Sequence, residues 1–192
     1  MAVVTCCGLH AQTQWSLEKD KDGIQVYSAD SGGSKFKAVK VICSPKGNLQ
    51  KFLTILLDVD GHKNWVYSTK KSYQLKKTSS DSILYYAELS FPWPLSNRDV
   101  VILMTTRIDA PGHNAVIFTD GEPDSLPKKD GLVRVPFFHA RYEVTEVADG
   151  RLQIVYYTLA NPGGGLGPGF TNLFLAKAPY NTFKNLCALL SR

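Results

Sequence analysis

The sequence predicts an α+β domain in which a curved antiparallel sheet grips one long C-terminal helix. Three observations carry that expectation. Between residues 68 and 159, short alternating segments follow one another through tight turns, as in an antiparallel meander. An amphipathic helical pattern interrupts the strands early, after Ser44-Pro45. A glycine-rich break between Asn161 and Gly169 then leads into a helical stripe running to the C-terminus. Helices packed on one face of a sheet make an α+β domain. A sheet wrapped around a helix also leaves room for an internal apolar cavity.

The elements follow in order. Residues 23–30 alternate Ile24 and Val26 with polar partners and end at Asp30-Ser31-Gly32-Gly33. Residues 35–43 alternate again through Phe36, Val39, Val41 and Cys43, so two strands flank a Gly-rich turn. Ser44 as N-cap and Pro45 as first helical residue open a helix. Its Leu49, Phe52, Leu53, Leu56 and Leu57 share one face. A short helical turn at Asp58-Val59-Asp60-Gly61 carries Trp65. Strands are expected at 68–77 and 82–90, at 99–109 and 114–120, and at 132–147 and 151–159. In the last helix Leu173, Ala176, Tyr180, Phe183, Cys187 and Leu190 form a stripe opposite Lys177, Asn181 and Lys184. Pro179 lies within it and is expected to remove one backbone hydrogen bond and kink the helix.

Composition narrows the function classes. The chain has 192 residues, a net charge of +5 and 44% hydrophobic residues, which excludes a disordered chain. No apolar run reaches the ~18 residues that a membrane-spanning helix needs. A single domain of this length buries roughly 70% of its unfolded surface, enough for a core and a cavity. The lysine pairs 70–71, 76–77 and 128–129 are scattered. They read as a solvated surface, whereas nucleic-acid binders concentrate charge on one face. No nucleic-acid partner is expected.

Residues 1–12 carry no charged side chain and end in Leu9-His10-Ala11-Gln12, which resembles the back half of a secretory signal peptide without its basic start. The expectation is export to a periplasmic or extracellular compartment, with a cytoplasmic protein as the alternative. Residues 13–192 then form the folded domain. Cys43 and Cys187 remain after such cleavage, either as two buried thiols or as a disulfide. No Cys/His spacing suits a metal, and no cofactor motif is present.

Strand parity locates the interior. With Arg151 and Gln153 facing water, Leu152, Ile154, Tyr156 and Thr158 point inward. With His139, Arg141 and Glu143 outward, Phe138, Ala140, Tyr142 and Val144 point inward. The same reading places Tyr85, Ala87 and Leu89, then Ile102, Met104 and Thr106, on the inner face. Apolar walls with a few hydroxyls suit a small-molecule pocket. A solid core whose tyrosines find backbone partners fits the pattern equally well.

The segment Pro92-Trp93-Pro94-Leu95-Ser96-Asn97-Arg98-Asp99-Val100 shifts that balance, because it resembles the signature of StAR-related lipid-transfer (START) domains. Residues 56–65 (LLDVDGHKNW), 131–136 (GLVRVP) and 160–164 (ANPGG) resemble the family in the same order. The resemblance extends from about Trp15 to Leu190. It implies a helix-grip fold with the C-terminal helix as a lid over a tunnel for one lipid, and no catalytic residues. The expected partners are a lipid or other apolar small molecule and, transiently, a membrane surface. By position Arg98 and Asp99 match the family's charged pair, which either binds a lipid head or holds the loop. No aromatic cage of the choline-phospholipid members can be placed. The candidate ligand-binding residues are Tyr85, Trp93, Arg98, Asp99, Met104, Phe138, Tyr142, Tyr156, Tyr180 and Phe183. The rival function is enzymatic, since related helix grips include aromatase/cyclase-like proteins. That rival would need an inward base such as His139, which parity turns outward.

Overall fold

The computed structural model describes residues 13–110, 112–166 and 175–192. Residues 1–12, with the expected export segment, lie outside the described residues, as does Leu173. The elements are β1 (Ser16–Lys21), β2 (Ile24–Ala29), β3 (Ala38–Cys43), α1 (Leu49–Leu57), a 3₁₀ turn (Val59–Asn64), β4 (Thr69–Lys77) and β5 (Ser82–Leu89). There follow β6 (Asn97–Ile108), β7 (Asn114–Gly121), β8 (Leu132–Arg134), β9 (Phe137–Val147), β10 (Arg151–Asn161) and α2 (Lys177–Leu190). One sheet takes the order β1-β2-β3-β10-β9-β7-β6-β5-β4, antiparallel throughout, with β8 joined in parallel to β6. This is the helix-grip arrangement that the sequence predicts.

Two strands escape a reading by alternation. β1, Ser-Leu-Glu-Lys-Asp-Lys, is polar on both faces because it is an edge strand with little to bury. The stretch 132–147, expected as one strand, breaks at Val135-Pro136 into β8 and β9. A proline cannot donate to the ladder there. The break lets β8 pair with β6, with Arg134 in register with Asp99.

The start of α1 also differs. Residues 44–47 continue the sheet: Pro45 accepts from the Leu152 amide at 3.0 Å, and Lys46 bridges Arg151. The N-cap is Asn48, whose side chain accepts from the Lys51 amide at 2.8 Å. The register with β10 outcompetes the local Ser-Pro signal. In α2, Pro179 is the third helical residue. First-turn amides have no intrahelical acceptor, so this proline sacrifices no bond and the expected kink loses its cause.

α2 bridges the two edges of the sheet. On one side the Tyr180 hydroxyl donates to Asp22 in the β1–β2 turn at 2.6 Å. On the other, Thr182 accepts from the Tyr67 amide at 3.1 Å, and Asn185 donates to the Trp65 carbonyl at 2.9 Å. Its buried face comprises Tyr180, Phe183, Leu186 and Leu190.

Candidate functional site

Between the concave face of the sheet and α2 lies a cavity of about 310 Å³. That is the low end of the ~300–1,000 Å³ typical of small-molecule sites. Tyr85, Ala87 and Leu89 of β5 and Val100, Ile102 and Met104 of β6 form one wall, as parity requires. Phe138, Tyr142 and Tyr156 come from β9 and β10, and Ala178, Pro179, Thr182 and Phe183 from α2. Aromatic packing fixes the centre: Tyr142 and Tyr156 lie 4.5 Å apart, and Phe183 is 5.3 Å from Tyr156.

The polar groups on this wall are few. Burial pushes the Tyr85 and Tyr142 phenols up, and Tyr156 to about 12, so all three remain protonated hydroxyls at neutral pH. His62 lies between Trp65 and Tyr85, with ring centroids 5.2 and 5.4 Å away. Its Nε2 is 2.8 Å from the Leu56 carbonyl. A carbonyl only accepts, so Nε2 carries the proton and Nδ1 is left as an acceptor. Burial lowers the His62 pKa, outweighing the opposing pull of the Leu56 carbonyl, Asp58 and Asp60.

Arg98 and Asp99, adjacent in β6, point to opposite faces and meet different fates. Asp99 is 1% exposed and held by Arg134, Nε to Oδ1 at 2.9 Å and Nη2 to Oδ2 at 3.0 Å. Arg134 also donates to the carbonyls of Pro123, Leu126 and Pro127, which locks the loop before β8. Arg98, 2% exposed, borders the cavity. Its guanidinium stacks 4.2 Å over Phe91 and donates to the Ser96 carbonyl. Among the described residues no carboxylate pairs with it, and its Nε has no partner.

The structure brings seven of the ten expected residues to the cavity: Tyr85, Arg98, Met104, Phe138, Tyr142, Tyr156 and Phe183. The other three stand elsewhere. Trp93 is 92% exposed in the β5–β6 loop, between Pro92 and Pro94. Asp99 is consumed by Arg134 on the outer face. Tyr180 packs its ring into the core but sends its hydroxyl to Asp22, away from the cavity. Ala140 is fully buried yet does not border the cavity.

Two of the glycines after β10 are closely packed. Gly163 and Gly164 have φ of +69° and +66°, and a Cβ on either would lie 3.1–3.3 Å from Val133 and its neighbours. Gly163 and Gly164 seat the chain against β8, while a Cβ on Gly165 (φ +68°) would meet open space; residues 167–169 of the glycine-rich break lie outside the described residues.

Beyond topology and cavity, the START domain model matches residues 8–192. The chain belongs to the START domain family. An uncharacterised protein of Pseudomonas aeruginosa is 30% identical over 185 residues, 96% of this chain and 91% of that one. The mouse phosphatidylcholine transfer protein is 26% identical over 90% of this chain and 81% of its own. The solved START structure of a Xanthomonas axonopodis STAR-related lipid transfer protein superposes with a TM-score of 0.85 at 28% identity, covering 93% of this chain and 99% of that fragment.

Sequence reading did not single out His62, Trp65, Thr69 and Thr119 as wall residues of this START domain. His62 and Trp65 sit inside the 56–65 motif, which offered a signal. Thr69 and Thr119 gave none, because a lone threonine in a strand reads as ordinary β-sheet composition.

Proposed function

We propose that this START domain binds a lipid or other apolar small molecule in the cavity beneath α2 and carries it between membranes without chemical conversion. The observation that carries the reading is the cavity itself, apolar, walled on one side by a helix held at both edges of the sheet. Each Å² of apolar ligand surface buried contributes about 25 cal/mol, so an acyl chain supplies most of the affinity. The protonated tyrosines suit hydrogen bonding to a ligand better than proton abstraction, and the Nδ1 of His62 can accept one such bond.

A shallow groove lined by Ser90, Phe91, Pro92 and Lys177 shares Tyr67, Leu89, Phe91 and Ala178 with the cavity. The wall is therefore one side chain thick between the β5–β6 loop and the start of α2. With Trp93 exposed beside it, this is the edge that meets a membrane while α2 moves. Native mass spectrometry of gently purified protein, followed by lipid extraction, tests the reading. A stoichiometric apolar ligand is expected; a ligand-free protein that also fails to take up lipid from vesicles overturns it.

We further propose that the chain is exported and that residues 1–12 are removed, on the strength of their uncharged, apolar sequence. N-terminal sequencing of the native protein should begin at or close to Thr13. An intact Met1 or Ala2 overturns the proposal.

A further inference from the structure

The cavity wall carries one permanent charge and nothing to neutralise it. Among the described residues Arg98 is the wall's only Lys or Arg and no Asp or Glu lines it, and burial holds His62 neutral. The segments outside the described residues contain no Asp or Glu either. An arginine cannot shed its proton to escape the desolvation penalty, so a buried one requires a counter-charge or full hydrogen bonding. Asp99, the nearest carboxylate in sequence, is turned to the opposite face and saturated by Arg134. Arg98 has instead one carbonyl, one aromatic face and an unpartnered Nε.

A second observation points to the same end of the cavity. Thr69 pairs with Leu89 and Leu89 with Arg98, so the three stand in one row across β4, β5 and β6. The outer two are two strands apart, about 10 Å. The Thr69 hydroxyl, also on the cavity wall, is buried without a partner. Two unsatisfied donors, one of them cationic, thus flank the same stretch of wall, while the aromatic cluster of Tyr142, Tyr156 and Phe183 occupies the apolar centre.

We propose that this cavity selects an amphiphile with an anionic head, a carboxylate or a phosphate, and that Arg98 receives that head while the chain lies among the aromatic rings. The inference rests on the lipid-binding reading and adds the headgroup class to it. Guanidinium pairs with either acid by charge-assisted hydrogen bonds, stronger than those it makes to a neutral hydroxyl, whereas a quaternary ammonium offers it no acceptor and is repelled. Gly164 belongs to the site in a passive way: a Cβ there would lie 3.1 Å from Arg98 Nη2 and crowd the guanidinium.

Oleate and oleyl alcohol share one chain and differ in the charge of the head, so their titration at pH 8, read by the fluorescence of the cavity-lining Trp65, isolates the effect. The wild-type protein should bind oleate about tenfold or more tightly than oleyl alcohol. Arg98→Gln should bring the two within about twofold by weakening oleate alone, and Arg98→Lys should keep part of the preference. Vesicles containing phosphatidylglycerol or phosphatidylcholine separate the sources: uptake of phosphatidylglycerol without oleate marks a phosphate head, and the reverse marks a carboxylate. Equal wild-type affinity for oleate and oleyl alcohol together with no preference for phosphatidylglycerol over phosphatidylcholine overturns the proposal, and this comparison needs no variant to fold. Equal weakening of oleate and alcohol in Arg98→Gln overturns it as well, since Arg98 would then act only on the shape of the cavity. Failure to bind any of these amphiphiles overturns the underlying lipid-binding reading and this inference with it.

Discussion

Arg134 grips Asp99 through two hydrogen bonds, at 2.9 and 3.0 Å, and both side chains are almost fully buried. The pair joins β8 to β6 across the sheet's outer face and anchors the loop before β8 through three carbonyls. Asp99→Ala strands the guanidinium in the interior and should destabilise the domain by about 3–5 kcal/mol. Urea denaturation measures it. A loss under 1 kcal/mol would show that water reaches Arg134 and that the pair is less buried than its geometry states.

Filling the cavity should separate binding from folding. Ala87 borders the void, so Ala87→Phe places its ring where nothing stands and should abolish lipid uptake while the melting temperature changes little. Ala140 is fully buried and does not border the void, so Ala140→Phe should destabilise by about 1–3 kcal/mol through overpacking. Vesicle-uptake assays and thermal melts on both variants decide the matter. The reverse pattern would mean that the two alanines have been assigned to the wrong sides of the wall.

The Cys43 and Cys187 thiols lie 3.8 Å apart, one on β3 and one on α2. They are free cysteines here, and a mild oxidant should join them within one chain. The cross-link ties α2 to the sheet, so transfer of a fluorescent lipid between vesicles should slow on oxidation and recover with reductant, with equilibrium binding little changed. Cys187→Ala should be indifferent to oxidant. Equal transfer rates in both redox states would show that α2 is a fixed wall and that lipid passes by the Trp93 loop.

His62 makes folding depend on pH. Its folded pKa lies below the ordinary value near 6.5, so the unfolded chain binds the proton first as pH falls. The contribution of His62 is complete above about pH 6.5 and is lost progressively until the pH reaches the lower folded value. His62→Gln should therefore lose less stability than the wild type between pH 7.5 and 5.5, as read from urea midpoints at the two values. Identical losses would place a proton on His62 in the folded state.

Sequence alone determined the strand meander, the amphipathic face of α1 and the inward side of each inner strand, because residues two apart share a face and one side of this sheet is dry. Strand parity also puts Tyr85, Met104, Phe138, Tyr142 and Tyr156 on the inner face, where all five line the cavity. Local signals failed where a distant partner outweighed them. Ser44-Pro45 reads as a helix start, yet pairing with Arg151 and Leu152 keeps it in the sheet. β1 carries no alternation because this edge strand is exposed along nearly its whole length and buries neither face. Arg98-Asp99 reads as a pair, but adjacent residues in a strand point to opposite faces, and only the fold supplies Arg134, 35 residues away, to take the aspartate. Tertiary structure likewise decided that Trp93 stands in solvent and that the Tyr180 hydroxyl leaves the cavity for Asp22. Periodicity reports which side of an element is apolar; it is silent on which long-range partner claims each polar group, and in this domain that choice leaves one guanidinium uncompensated on the cavity wall.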